Sequence, residues 1–267
     1  MPTGRATLLE SNTMMNVQSA SSAARWQPAT SARQPALKLE SDERWSDFKE
    51  VLSLLRFDGQ VHEMNESTLF RRRRLKAGQT ALCMGQPFEG LYVVRLGALK
   101  TSMTHVDGAE HVLAFPMKGD LLGFDGVCKN KYLSEVTALT DCDLIKIPST
   151  ELFSPGRGCN DIERMAYWAI SREIVQEQSA YALSHSAKSE ARVARFLRIQ
   201  SERFNAMGYS PNRFTLPMTR RDIGNHLNVT LETVSRAFSA LDHLGIIAVE
   251  RREIRILSLE ALRNFES

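Results

Sequence analysis

Four polar residues near the C-terminal end carry the chemistry this chain advertises most clearly. Glu232, Ser235, Arg236 and Ser239 fall at i, i+3, i+4 and i+7, so a helix would set all four on one face. A forked guanidinium can bond bidentately to guanine, and a carboxylate can accept from the amino group of cytosine. Arg251 and Arg252 follow at the tip of a short apolar hairpin, where cations suit phosphate contacts. Each residue also has a plainer reading. Glu232 lies in a helix's first turn, where any carboxylate is favoured, and Glu232 with Arg236 is an ordinary i,i+4 pair.

The joint pattern around them narrows the choice. In TRRDIGNHLNVTLETVSRAFSALDHLGIIAVERREIRIL, Thr219 is an N-cap with Asp222 placed to complete a capping box. Ile223 and Leu227 give the first helix an apolar face, and Gly224 is the small residue a closely crossing second helix needs. Asn228 sits where the turn requires a left-handed residue. Thr230 caps the second helix, Val234, Ala237, Phe238 and Leu241 form its buried stripe, and Gly245 closes it. Ile246–Val249 and Ile254–Leu257 then make the hairpin, with Glu250, Arg251, Arg252 and Glu253 at its tip. Cap, small residue, turn, second cap, polar face and wing together describe a winged helix-turn-helix over residues 219–257. The residues expected at the nucleic acid are Thr219, Arg220, Arg221, Thr230, Glu232, Thr233, Ser235, Arg236, Ser239, Arg251 and Arg252.

A chain of 267 residues is long enough for two cores. Its 34 basic and 31 acidic residues leave a formal charge of +3, so nucleic-acid binding must rest on where the arginines stand rather than on bulk attraction. Residues 1–40 are rich in Ser, Ala, Thr and Gln and read as a disordered tail. A helix is expected from Glu43 to Leu55, with Trp45, Phe48, Val51, Leu52 and Leu55 as its stripe. From Leu69 to Pro148, short apolar runs such as Leu91–Val94 and Val112–Phe115 alternate with glycines, and Asp107-Gly108 signals a hairpin. That is the pattern of a small antiparallel barrel or sandwich. Residues 154–158, SPGRG, break this unit off. A helix without Gly or Pro then runs from about Asp161 to Ser186. Tyr167, Ile170, Ile174, Glu177 and Tyr181 give it the 3-4-3-4 spacing of a two-stranded seam; the alternative is packing on its own domain through Met165 and Ala169. A second helix, about Glu190 to Ala206, ends at Gly208. The expected fold class is α+β. Its domains are a β-roll with a flanking helix at 41–158, a dimerisation helix at 159–187 and the DNA-binding domain at 188–267.

Other chemistry is weaker. Cys83, Cys128, Cys142 and Cys159 are scattered without a Cys-x-x-Cys pair and read as buried reduced thiols, so no metal site is expected. His105 and His111 flank the hairpin signal, and the run Arg71–Arg74 reads as a guarded strand edge. There is no phosphate-cradling glycine loop, no nucleophile elbow and no paired metal-binding histidines, so no enzyme is expected. A ligand-binding or interaction module using the helix-turn-helix only as scaffold is the competing class. No run of about 18 apolar residues exists, and the chain reads as soluble and cytoplasmic.

Residues 69–257 resemble the cAMP receptor protein and fumarate–nitrate reduction regulator (CRP/FNR) superfamily of transcription factors. The likeness runs through GQTALCMGQPFEGLYVVRLGALK and KGDLLGFDG and is strongest in MTRRDIGNHLNVTLETVSR. It implies an N-terminal β-roll, a long dimerisation helix and a C-terminal winged helix-turn-helix. The partners it implies are double-stranded DNA, a second copy of the chain and RNA polymerase, with no membrane. Glu232, Ser235 and Arg236 match the FNR-type readers, whose half-site is TTGAT, whereas cyclic-AMP-type members carry arginine at Leu231 and glycine at Ser235. The nucleotide binders' glutamate and arginine-serine pair fall on Phe124, Tyr132 and Leu133, so cyclic AMP is not expected. No cysteine precedes Cys83, and the β-roll cluster ligand falls on Ile145, so the family's iron–sulfur cluster is not expected either. No cofactor is assigned.

Overall fold

The computed structural model describes residues 44–59, 68–104, 108–152, 161–184 and 188–265, the side chains of 176–177 and 179–184 excepted. The tail at 1–40, the hairpin signal at Asp107, the SPGRG segment, His105 and Cys159 lie outside the described residues. In chain order the elements are β1 (Trp45–Asp47), α1 (Phe48–Leu55), β2 (Leu69–Leu75), β3 (Thr80–Leu82), β4 (Gly90–Leu96), β5 (Leu99–Thr104), β6 (Glu110–Ala114), β7 (Leu121–Leu122), β8 (Glu135–Ala138), β9 (Cys142–Pro148) and α2 (Ser149–Leu152). Then come α3 (Asp161–Ser184), α4 (Ser189–Ala206), β10 (Arg213–Thr215), α5 (Arg220–Leu227), α6 (Leu231–His243), β11 (Ile247–Glu250), β12 (Glu253–Ile256) and α7 (Leu259–Arg263).

Two antiparallel sheets make the roll, in the orders β1-β2-β9-β4-β7 and β3-β8-β5-β6. Strand pleating explains why β4 is apolar from Leu91 to Val94. Tyr92 and Val94 join the cluster between the sheets, with Leu99, Tyr132, Val136 and Leu144. Leu91 and Val93 point the other way, to Phe48, Val51 and Leu55 of α1 and Met165, Ala166 and Ala169 of α3. A strand buried on both faces must be apolar on both.

Three expectations change here. The first helix begins at Phe48, not Glu43: Trp45–Asp47 pairs antiparallel with Leu69–Arg71, and Asp47 caps the helix by accepting from the Glu50 amide at 2.7 Å. The Arg71–Arg74 strand is not an edge, because β2 pairs with both β1 and β9. Arg72 forms an ion pair with Asp143 of β9, and Arg73 donates to the Ala81 carbonyl at 2.7 Å. The thiols divide: Cys142 is buried and donates to the Ala98 carbonyl, whereas Cys83 and Cys128 are exposed.

The long helix α3 uses two faces. Met165, Ala166 and Ala169 are buried against the roll, which is the local packing the sequence offered as the alternative. Tyr167 and Ile174 stay 61% and 44% exposed, on the side away from that core. Ile170 lies between these two faces. It is half-buried at the boundary and packs on the roll's own cluster with Trp168. The side chains of Glu177 and Tyr181 lie outside those described.

Candidate nucleic-acid interface

The C-terminal core is built on α4, α5 and α6 with the three-stranded sheet β10-β12-β11. Short-range chemistry sets α5. The Thr219 hydroxyl accepts the Asp222 amide at 3.1 Å while Asp222 accepts the Thr219 amide at 2.9 Å, a reciprocal capping box. Burial pushes the Asp222 carboxyl up, but the hydrogen bonds from Thr219 and the ammonium of Lys100 hold it below the usual range.

The turn that follows works by close approach. Asn228 takes a left-handed conformation at φ 54°, and the Val229 amide donates to the Gly224 carbonyl at 2.9 Å. A Cβ on Gly224 would lie 2.7 Å from the Val229 carbonyl oxygen, so only glycine fits without displacing the turn. Thr230 then caps α6 by accepting the Thr233 amide at 3.1 Å. Val234, Ala237, Phe238 and Leu241 are buried as their spacing predicts.

The polar face emerges on the outside. Glu232, Arg236 and Ser239 are exposed and Ser235 is half-buried. Hydrogen bonding at the α6 N-terminus, the Thr230 hydroxyl, and the charges of Arg236 and Arg221 keep Glu232 below the usual carboxylate range, hence ionised. Arg236 donates only a 3.4 Å bond to Thr233, leaving its fork facing outward. The hydroxyls of Thr219 and Thr230 serve as caps, so these two residues position the helices.

The wing is held beside this face. Asp242 of α6 accepts the Val249 amide at 3.2 Å, and β11 and β12 pair up to Glu250 opposite Glu253. Arg251, at φ 56°, and Arg252 form the two-residue tip, and both are exposed. Arg252 donates to the Pro217 carbonyl at 3.2 Å, and the Arg220 guanidinium lies 5.1 Å from the centre of the Phe238 ring. Thr219, Arg220, Arg251 and Arg252 thus rim one cleft of about 130 Å³ between the wing and the start of α5. Arg221 is exposed on the same helix start. The structure brings all eleven expected residues onto three adjoining elements.

Sequence reasoning missed two features. Strand β10 pairs with β12 and buries Phe214, extending the wing. Leu231 is 38% exposed at the first position of α6, an apolar group among the polar reading residues. A leucine directly after a capping threonine was the available signal.

Comparison with known proteins agrees with this geometry. Residues 72–154 match the cyclic nucleotide-binding domain family, and residues 191–265 match the Crp-like helix-turn-helix domain family. The chain is 34% identical over 192 residues to the transcriptional regulatory protein btr of Bordetella pertussis, covering 72% of this chain and 79% of that protein. It is 35% identical over 187 residues to the transcriptional activator protein FnrA of Stutzerimonas stutzeri, covering 70% and 77%. Among solved structures, FixK2 from Bradyrhizobium japonicum superposes with a TM-score of 0.65 at 26% identity, covering 73% of this chain and 96% of that one.

Proposed function

The chain belongs to the CRP/FNR family of DNA-binding transcriptional regulators, and from that premise we propose that it reads a palindrome of TTGAT-like half-sites as a homodimer. The carrying observation is the uncovered face of α6, where ionised Glu232, Ser235 and the outward fork of Arg236 stand together. These are the three positions that match the FNR-type readers. In this reading Arg236 and Glu232 contact base edges, while Arg220, Arg221, Arg251 and Arg252 hold flanking phosphates.

Two half-sites call for two copies, and the exposed side of α3 offers the surface. Tyr167, Ile174 and Val175 would otherwise leave large apolar groups in water on one long helix. A dimer would place two reading helices about one helical turn of DNA apart. RNA polymerase is the expected further partner.

We read the β-roll as taking neither a cyclic nucleotide nor the family's cluster. Phe124, Tyr132 and Leu133 bring no cation for a phosphate. The Tyr132 ring lies 2.8 Å from where a Gly123 Cβ would stand, and its hydroxyl donates to the Gly90 carbonyl at 2.9 Å. Burial pushes that phenol up to about 12, so it stays neutral. For a cluster, burial pushes the Cys142 thiol up, the wrong direction for a thiolate ligand, and Ile145 is buried in apolar surroundings. Among the described residues no helix is long and apolar enough to cross a membrane.

The test is an anisotropy titration of the purified protein against a duplex carrying two inverted TTGAT half-sites and against a scrambled duplex. At about 150 mM salt the palindrome should bind roughly a thousandfold more tightly. Equal affinity for both would leave only the scaffold reading.

A further inference from the structure

The DNA-reading domain shares its core with the β-roll: Val112 of β6 and Phe115 just beyond it are buried with residues of α4, α5 and α6. Three polar contacts border this joint. His226, in the last turn of α5, has its Nδ1 3.2 Å from the Val112 carbonyl, and its ring lies 5.2 Å from Phe115 and 6.0 Å from Phe196 of α4. Lys100 of β5 reaches Glu110 of β6 at 2.7 Å and Asp222 of α5 at 3.2 Å, so the capping-box carboxylate is also a contact to the β-roll. Arg203 of α4 donates to the Phe115 carbonyl at 3.0 Å and pairs with Asp120. The same turn is held from α3, where Arg172 donates to the Gly119 carbonyl at 2.9 Å.

We propose that His226 is a positioning residue: as a neutral imidazole it ties α5 to β6 and fixes where the reading helix points, and its protonation loosens that joint and weakens DNA binding. The proposal rests on the DNA-binding reading only for its consequence at DNA. A carbonyl can only accept, so Nδ1 carries the hydrogen in the neutral ring and Nε2 carries none. A second proton would place a cation in a half-buried site walled by Phe115 and Phe196. Facing it are the cationic Arg203 from α4 and the ring of His111 from β6, neither of which supplies a negative charge. The nearby carboxylates are engaged elsewhere: Glu110 and Asp222 with Lys100, and Asp120 with Arg203.

Burial holds the His226 imidazole below its ordinary 6.5; the Val112 and Leu113 carbonyls oppose that shift, and Arg203 and His111 add to it. Above 6.5 the joined and separated forms are both neutral and the joint is complete. As pH falls below 6.5 the separated form takes up its proton first, so the joint weakens, by at most about tenfold per pH unit. The weakening stops once the joined form protonates as well. The surface left by separation would expose Val112 and Phe115.

Full-length wild type and His226→Gln, which keeps a donor for Val112 but cannot titrate, should be compared at pH 7.5 and 5.8. Amide exchange over 110–114 and 220–227 is read without DNA, and affinity for the palindrome is read in parallel. Wild type should lose protection in both segments at pH 5.8 and bind several-fold more weakly, while His226→Gln keeps both. Identical pH profiles for the two proteins would overturn the proposal. Should His226→Gln fail to fold, an NMR titration of the wild-type imidazole decides the matter: a pKa below 6.5 supports the joint, and one at or above 6.5 ends it. Loss of protection in a protein that never binds DNA selectively would sink the functional reading and leave the joint standing.

Discussion

Replacing Gly224 with alanine sets two ordinary effects against each other, and the structure decides between them. In an exposed helix interior, alanine is favoured over glycine by about 1 kcal/mol. Here the added Cβ would stand 2.7 Å from the Val229 carbonyl oxygen and 3.4 Å from the Thr230 carbonyl carbon, both backbone atoms that cannot rotate away. Relief requires moving the turn, which strains the Val229-to-Gly224 hydrogen bond. Overpacking of this kind costs about 1–3 kcal/mol, and a weakened buried hydrogen bond adds about 1. Net destabilisation of about 1–3 kcal/mol is therefore expected. The assay is urea unfolding followed by far-UV circular dichroism, with amide exchange over α5 and α6 to localise the loss. Since the displaced turn carries the start of α6, affinity for the palindrome should fall more than tenfold even where the domain remains folded. A Gly224→Ala protein at least as stable as wild type would refute the reasoning, because propensity would then have outweighed the clash.

Further outcomes test the other surfaces. Arg236→Ala should weaken binding by about 1–3 kcal/mol and flatten base preference at one half-site position, whereas Arg252→Ala should weaken all sequences alike; a gel-shift panel of single-base variants separates the two. Ile174→Asp, on the exposed face of α3, should shift sedimentation toward monomer and lower operator affinity with it, and unchanged self-association would remove this face from the interface. Tyr132→Phe should cost about 1–2 kcal/mol in urea unfolding by leaving the Gly90 carbonyl without its donor, and no loss would mean that the hydroxyl is not needed there.

The parts of this molecule that were legible in sequence are those whose physics is local. Thr219 and Asp222, Gly224, Asn228 and Thr230 each act within a few residues of themselves, and each stands in the structure where spacing placed it. Periodicity was less decisive. Trp45 lies at helical spacing from Phe48, yet strand pairing with β2 claims it and Asp47 starts the helix. On α3 a helical stripe could not tell the roll-facing side from the free one, and Ile170 stands between them, half-buried against the roll. Strand β10 is three residues long with one buried side chain, too short for alternation to show. The joint was invisible, since Lys100 and Asp222, or Val112 and His226, are more than a hundred positions apart and no spacing rule links them.

The central claim, that the Glu232–Arg236 face reads a specific palindrome, is tested most directly by selection from a random duplex library with the full-length protein. Enrichment of inverted TTGAT-like half-sites, their centres about one helical turn apart, is the predicted result. Recovery of unrelated sequences, or of no sequence above the starting pool, would contradict it.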